Sequence, residues 1–210
     1  MSYLVLIRHG PSEYNVKGLW TGQLDPPLTS EGKEEVKRAA QALVDIPITL
    51  GFSSPLIRHK DTLVILKDVL QTDFPIVEDD ALKERNYGDF TGKNKWEVKK
   101  KLGEEEFLKL RRGWDYPIPH GESLREVYER VVGYYQTTIT PELAKNKNVI
   151  VSSSGNALRS LVKFLENISD EEIVKLEIAP GEVYVYKLKV ENGELKVLSK
   201  GVRNPHPNKF

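Results

Sequence analysis

The sequence predicts an α/β fold, a three-layer α/β/α sandwich on a mostly parallel sheet with an antiparallel hairpin at its edge. Three observations lead there. Apolar runs of strand length alternate with amphipathic helical stretches from end to end, the pattern of a parallel sheet covered on both faces. The first run, Leu4-Val5-Leu6-Ile7, has no polar break, as expected of a strand buried on both sides. Residues 183–190 alternate, turn at Asn192-Gly193 and return through Leu195-Lys196-Val197, which reads as an antiparallel edge hairpin. Neither an internal repeat nor a dividing linker interrupts the 210 residues. One domain over 1–210 is therefore expected, and it is long enough for a sizeable core.

In order, the first strand stops at Arg8-His9, where Gly10-Pro11 force a turn. Residues 20–27 are rich in turn formers and read as a loop. Thr29-Ser30 can cap the next helix, in which Val36, Ala39, Ala40, Leu43 and Val44 form one apolar stripe. A second strand over 48–52 ends in Ser53-Ser54-Pro55. The helix after it is marked by Thr62, Leu63, Leu66, Val69 and Leu70, with Arg58 in its first turn. Ile76-Val77 is a short third strand. Ser123 and Glu126 form a capping box for a helix with Leu124, Val127, Tyr128, Val131 and Tyr135 on one face. Val149-Ile150-Val151 is another buried strand, followed by Ser152-Ser153-Ser154-Gly155-Asn156 and a helix striped by Leu158, Leu161, Val162 and Leu165. The polar tail from Asn204 carries two prolines and is expected to be mobile.

Composition excludes several classes. Hydrophobic residues are 39% and charged residues 30%, which is globular rather than disordered. Lys+Arg and Asp+Glu are both 31, so no global field favours nucleic acid or an anionic membrane. The absence of cysteine removes disulfides and thiolate chemistry. No stretch approaches the roughly 20 apolar residues of a membrane span, and the first residues lack a signal's cationic region and cleavage site. A soluble, cytoplasmic protein is expected. No His/Asp/Glu cluster has ligand spacing, so no metal is implied.

The balance breaks locally. Residues 83–112 hold ten Lys/Arg against six Asp/Glu, so a basic excursion at 83–121 is expected to fold over the strand ends and enclose a small polyanion. Open α/β sheets bind ligands at the carboxyl ends of their strands, and each end here suits a phosphoryl group. Arg8, His9 and Asn15 follow the first strand, and Arg58 follows the second. Gly155-Asn156 open a helix whose free N–H groups favour an anion. Arginine's fork matches phosphate oxygens bidentately, and a neutral imidazole nitrogen is a competent nucleophile toward phosphorus. Glu84, among cations, is the candidate acid/base; an ion pair with Arg85 or a lysine is the alternative for that carboxylate.

Arg8-His9-Gly10 at the end of the first strand resembles the signature of the histidine phosphatase superfamily, and RHGPSEYN is similar to its 2,3-bisphosphoglycerate-dependent phosphoglycerate mutase branch. Further segments resemble that branch in the same order. TGQLDPPLTSEG looks like its substrate loop, with Thr21 and Gly22, and SSPLIRHKDT like its second phosphate-arginine segment, with Arg58. KERNYGDFTGKNK is similar to the segment holding the acid/base glutamate, here Glu84, with Tyr87 and Lys95. LRRGWDYP resembles the paired-arginine segment of mutases, giving Arg111 and Arg112, a pair phosphatase branches typically lack.

The resemblance implies interconversion of 3- and 2-phosphoglycerate in glycolysis and gluconeogenesis through a phosphorylated His9, with 2,3-bisphosphoglycerate as the phosphoryl primer. It also implies a small phosphorylated metabolite as partner and leaves a homodimer open. One position departs. The family places a histidine before Gly-Asn-Ser-Leu-Arg, whereas this chain has Ser154 before Gly155-Asn156-Ala157-Leu158-Arg159. A serine hydroxyl is shorter and neutral, and losing one pre-organised donor costs ~10²–10³ in rate. His59, His120 and His206 do not align with the vacant position. A phosphatase of small phosphomonoesters and a catalytically impaired phosphate-binding relative are the alternatives. The serine run also loosely resembles a hydrolase elbow around Ser153, but Val151 stands where that motif needs glycine.

Overall fold

The computed structural model describes residues 1–191 and 193–204. The expectations for Asn192 and for the tail from 205 onward, His206 included, lie outside them. Among the described residues six strands form one mixed sheet: β1 (Ser2–Arg8), β2 (Leu50–Ser53), β3 (Ile76–Glu78), β4 (Val149–Ser153), β5 (Val183–Glu191) and β6 (Glu194–Arg203). Their order is β3-β2-β4-β1-β5-β6. The first four are parallel, whereas β5 runs antiparallel to β1 and β6 antiparallel to β5.

The unbroken apolar runs have a simple cause. Leu4 and Leu6 of β1 pack into one core cluster with Val149, Val151, Tyr184 and Tyr186, while Val5 and Ile7 join Ile150, Val183 and Val185 in a second cluster on the opposite face. Both faces are covered, so both parities must be apolar. The same cause corrects the alternation expected for β5. Val183 to Tyr186 are all buried, because of the two hairpin strands β5 lies inside the sheet and β6 at its edge.

Among the described residues, four longer helices and one short one cover the faces. α2 (Ser30–Gln41), which follows the single turn α1 (Glu13–Val16), and α3 (Ile57–Leu70) pack on one side through Ala39, Ala40, Leu63 and Leu66. α6 (Leu124–Tyr134), the short α7 (Thr140–Ala144) and α8 (Gly155–Glu166) pack on the other through residues such as Val127, Leu143 and Leu158. α4 (Lys95–Leu102) and α5 (Glu104–Arg112) lie in the basic excursion. The caps expected from sequence form: Thr29 Oγ1 accepts from the Gly32 N–H, and Ser123 and Glu126 complete a capping box. The α2 stripe ends earlier than its periodicity suggests. The helix stops at Gln41, leaving Leu43 buried in the following turn and Val44 exposed.

Where β1 ends, the chain passes unusually close to α2. A Cβ on Gly10 would stand 2.1 Å from the Gly32 carbonyl oxygen, and one on Gly32 would meet the Pro11 oxygen at 2.1 Å. Two glycines thus let the turn after His9 lie against the start of α2. Gly10→Ala should therefore cost roughly 2–3 kcal/mol through overpacking against backbone. Gly133→Ala, with open space around its Cβ in α6, should be neutral or gain up to ~1 kcal/mol from helix propensity. Urea unfolding of both variants checks the contrast, and equal stabilities would contradict it.

Candidate active site

β1 delivers two residues of opposite parity to the carboxyl edge. Arg8 shares the parity of Leu4 and Leu6, and a Cβ on Gly155 at the start of α8 would lie 3.5 Å from its guanidinium carbon. His9 has the parity of Val5 and Ile7, and its ring centroid lies 5.3 Å from that of His59 on α3. The His9 N–H donates to the Ser153 carbonyl at 3.1 Å, extending the β1–β4 ladder by one residue and setting His9 beside Ser154.

The imidazole of His9 is 2% exposed, and its Nδ1 lies 2.6 Å from the Gly10 carbonyl oxygen. A carbonyl can only accept, so Nδ1 carries the proton. Burial first, then Arg58 and Arg8, hold His9 well below the ordinary histidine value. The ring is therefore neutral with its Nε2 lone pair available. His9 lines a cleft together with Arg8, Asn15, Thr21, Gly22, Arg58, Glu84, Tyr87, Lys95, Arg111, Arg112, Ser154, Gly155 and Asn156. Every site residue expected from sequence thus meets in one place. Sequence reasoning did not single out Trp20, Arg159 and Glu177, which also line it.

Six cationic side chains face two carboxylates in this cleft. Arg8 Nη1 donates to the Ile178 carbonyl, and Arg58 donates to the Leu24 carbonyl (2.7 Å) and the Gly22 carbonyl (3.0 Å), fixing the loop that carries Thr21. Arg8 Nε, Arg58 Nε and Thr21 Oγ1 are buried without partners among the described residues. Burial pulls the Arg58 guanidinium down to about 10. Buried donors left unpaired cost free energy, and an anion bound here would satisfy them.

Glu84 is oriented by backbone. Its Oε1 accepts from the Arg85 N–H at 2.6 Å and from the Asn156 N–H at 3.3 Å, in place of an ion pair with the Arg85 side chain. That side chain instead donates to the Glu122, Leu110 and Tyr116 carbonyls. The free N–H groups expected at the start of α8 are thus reduced, because Glu84 takes that of Asn156. Asn156 Nδ2 donates to the Tyr87 hydroxyl at 2.7 Å, and its Oδ1 accepts from Arg159 Nη1 at 2.8 Å. Asn15 Oδ1 accepts from the Ser12 N–H at 3.1 Å and closes a capping box on α1.

The basic excursion is held over the strand ends by its own small apolar cluster of Trp20, Tyr87, Val98, Phe107, Leu110 and Ile118. Lys95 Nζ lies 5.7 Å from the Trp20 ring, and Arg111 and Arg112 pair with Glu177. Arg159 Nη2 donates to the Arg112 and Ile173 carbonyls, tying α8 to the end of α5. Ser153, the residue of the elbow-like reading, is fully buried with its Oγ donating to the Leu82 carbonyl.

A neutral, nucleophilic imidazole ringed by cations at the carboxyl edge of a parallel sheet defines a class of proteins that handle phosphate through a histidine. Comparison with known proteins agrees, the pattern of the histidine phosphatase superfamily (branch 1) matching residues 4–201. This chain belongs to that superfamily. It is 41% identical over 196 residues to the 2,3-bisphosphoglycerate-dependent phosphoglycerate mutase of Parvibaculum lavamentivorans, covering 92% of this chain and 93% of the relative. It is 45% identical over 202 residues to the Rhizobium rhizogenes protein of the same name, covering 95% and 94%. Among solved structures, a mycobacterial glucosyl-3-phosphoglycerate phosphatase superposes with a TM-score of 0.79 at 24% identity, covering 98% of this chain and 100% of that one. That last likeness speaks for the fold alone.

Two neutral buried histidines make stability depend on pH. His59 is also held well below the ordinary value, by burial first and then by Arg58. In the unfolded chain both titrate near 6.5, so below that pH the unfolded state binds more protons. Stability is full above about pH 6.5 and is lost as pH falls from there toward the lower folded values. The slope should reach up to about 1.4 kcal/mol per pH unit for each group. Urea midpoints should fall as pH drops from about 6.5 to about 5.5, less steeply in His59→Gln; a midpoint constant over that range would contradict this account.

Proposed function

We propose that this chain is a phosphoglycerate mutase that interconverts 3- and 2-phosphoglycerate through a phosphohistidine at His9. The observation that carries the reading is the His9 Nδ1–H bound to the Gly10 carbonyl, which leaves Nε2 as the nucleophile among six cations. The names borne by relatives more than 40% identical support the choice of substrate.

In this reading Arg8, Arg58, Thr21 and the Gly155 N–H surround the phosphoryl group in transfer, with Asn15 at the rim and Asn156 and Tyr87 bracing the acid/base side. Lys95, Arg111 and Arg112 take the carboxylate or second phosphate at the other end of the ligand, with Glu177 as the competing anion of the free protein. The cleft fits 2,3-bisphosphoglycerate as primer, because orphaned donors at Arg8, Arg58 and Thr21 and the separate arginine pair give two anion sites. When bound, that compound supplies the phosphoryl group that loads His9.

Phosphoryl transfer asks mainly for positioning and charge neutralisation. As the phosphohistidine N–P bond breaks, the substrate hydroxyl oxygen forms the new P–O bond and its proton passes to the Glu84 carboxylate. In the reverse sense, His9 Nε2 forms the N–P bond and protonated Glu84 returns the proton to the leaving oxygen. Both steps conserve charge within the cleft. Among the described residues no group of three or more His, Cys, Asp or Glu is arranged to hold a metal ion, and no helix is long and apolar enough to cross a membrane.

A phosphatase acting on small phosphomonoesters is the second reading, and Ser154 in place of the family histidine raises a third, a catalytically impaired phosphate-binding relative. The deciding experiment follows 3-phosphoglycerate by ³¹P NMR with and without bisphosphoglycerate. Isomerisation that needs the primer supports the mutase; release of inorganic phosphate without isomerisation supports the phosphatase; binding without turnover marks an impaired relative. Bisphosphoglycerate should also give an acid-labile adduct of one phosphoryl mass, absent in His9→Ala.

Lys95 adds a pH test. Burial, with Arg8 and Arg111 nearby, pulls its ammonium down to about 8. Because kcat/KM reports the free enzyme, it should fall as pH rises through about 8. Lys95→Arg, which stays charged, should move that basic limb above pH 10. A limb unmoved by the substitution would assign it to another group.

A further inference from the structure

The position where the family places its second histidine is connected to a histidine after all, through space rather than along the chain. His59 Nε2 lies 2.7 Å from Ser154 Oγ, and His59 Nδ1 lies 2.6 Å from Ser54 Oγ. Both serines and the imidazole are buried. We propose that Ser54, His59 and Ser154 form a directional hydrogen-bond relay that aims the Ser154 O–H into the cleft as a donor to the phosphoryl group, with His59 as its positioning residue. This inference deepens the phosphohistidine reading and rests on it.

Direction follows from counting donors. Ser54 Oγ already accepts from the Leu56 N–H at 3.2 Å. Its own proton has one acceptor among the described residues, His59 Nδ1. A neutral imidazole has a single N–H, and burial together with Arg58 holds His59 neutral. That N–H must then sit on Nε2 and donate to Ser154 Oγ. With Oγ already accepting, the Ser154 hydroxyl proton is left to point elsewhere. The opposite tautomer would strand the buried Ser54 proton without a partner, which is the costlier arrangement.

Two further observations mark the relay as built rather than incidental. Ser154 is the N-cap residue of α8, where a serine oxygen ordinarily accepts from the helix N–H groups, yet it makes no such bond. The hydroxyl is diverted to His59, and Glu84 accepts the Asn156 N–H in its stead. In addition, Ser152 Oγ donates to the His59 carbonyl at 2.9 Å, anchoring this turn of α3 to β4. His59 itself does not line the cleft, whereas Ser154 does, next to His9. The imidazole therefore acts through the serine and supplies no positive charge of its own.

The test combines kinetics with direct observation of the proton. Long-range ¹H–¹⁵N NMR of the intact protein should show His59 as the Nε2–H tautomer, and a Nδ1–H tautomer would overturn the relay whatever the activity. Ser154→Ala should lower kcat for 3-phosphoglycerate with bisphosphoglycerate by ~10²-fold or more, the loss of one pre-organised donor, while KM changes less than about 3-fold. His59→Ala should lose less than Ser154→Ala, and the double variant should be no slower than Ser154→Ala alone, since one residue works through the other. His59→Gln, whose amide can still donate to Ser154, should recover part of the rate. Additive losses, or a KM effect equal to the kcat effect, would reduce His59 to a packing residue and sink the proposal. Failure of the proposed function is read separately: a wild-type protein that never labels His9 removes that reading. The relay is then judged by the tautomer and by whether Ser154→Ala weakens binding of inorganic phosphate by about 10-fold.

Discussion

The hydrogen bond between His9 Nδ1–H and the Gly10 carbonyl is the contact on which the site depends. Without it the imidazole could take either tautomer, and in one of them the lone pair facing the cleft would be lost. The bond is possible because the chain turns sharply after His9, and that turn fits only because Gly10 and Gly32 lack side chains where two backbone segments touch. The proposed nucleophile is thus oriented by packing between a turn and a helix rather than by a partner carboxylate. Burial completes the arrangement, since a neutral imidazole between arginines is the lower-energy form.

Around that centre the protein buries an excess of positive charge. Arg8 and Arg58 are lowered from their ordinary values by desolvation before any other cause, so a bound anion would offset part of the cost of burying them. Carbonyl oxygens take up part of the guanidinium hydrogen-bonding capacity and leave the Nε donors over. An anion binding here gains from partners already oriented, which is how a fixed environment stabilises charge that moves during transfer. Glu84 fits the same scheme. Two backbone N–H groups hold its carboxylate, so its position does not depend on the cations it is meant to work beside.

The excursion over 83–121 shows how polar function and apolar packing divide the labour. Trp20, Tyr87, Phe107 and Leu110 bury against each other beneath a surface of lysines and arginines, and fully buried Arg85 stitches three carbonyls of the segment together. Arg159 reaches from α8 to the Arg112 carbonyl, so the arginine pair is fixed to the same helix that Ser154 begins. The two anion sites proposed for the cleft are therefore tied to one helix.

Much of this was legible in the sequence, because it rests on local signals. Periodicity set the layers, since covering both faces forces apolar residues at both parities, and strand ends carrying Arg8, His9, Arg58, Ser154 and Gly155 marked the edge where ligands bind. Periodicity overreached at Val44, which the end of α2 leaves exposed, and at β5, whose place between β1 and β6 buries residues expected to alternate. Glu177 gave no local signal, as its partner Arg112 lies 65 residues away. Arg159 closes the family-like string after Ser154, but its bond to the Arg112 carbonyl, 47 residues away, could not be read there. The Ser54–His59–Ser154 chain is the clearest case. Along the sequence His59 stands 95 residues from Ser154 and does not align with the vacant histidine position. Only the parallel pairing of β2 with β4 brings α3 and the start of α8 together, because a sheet makes neighbours of strand ends regardless of the distance between them along the chain.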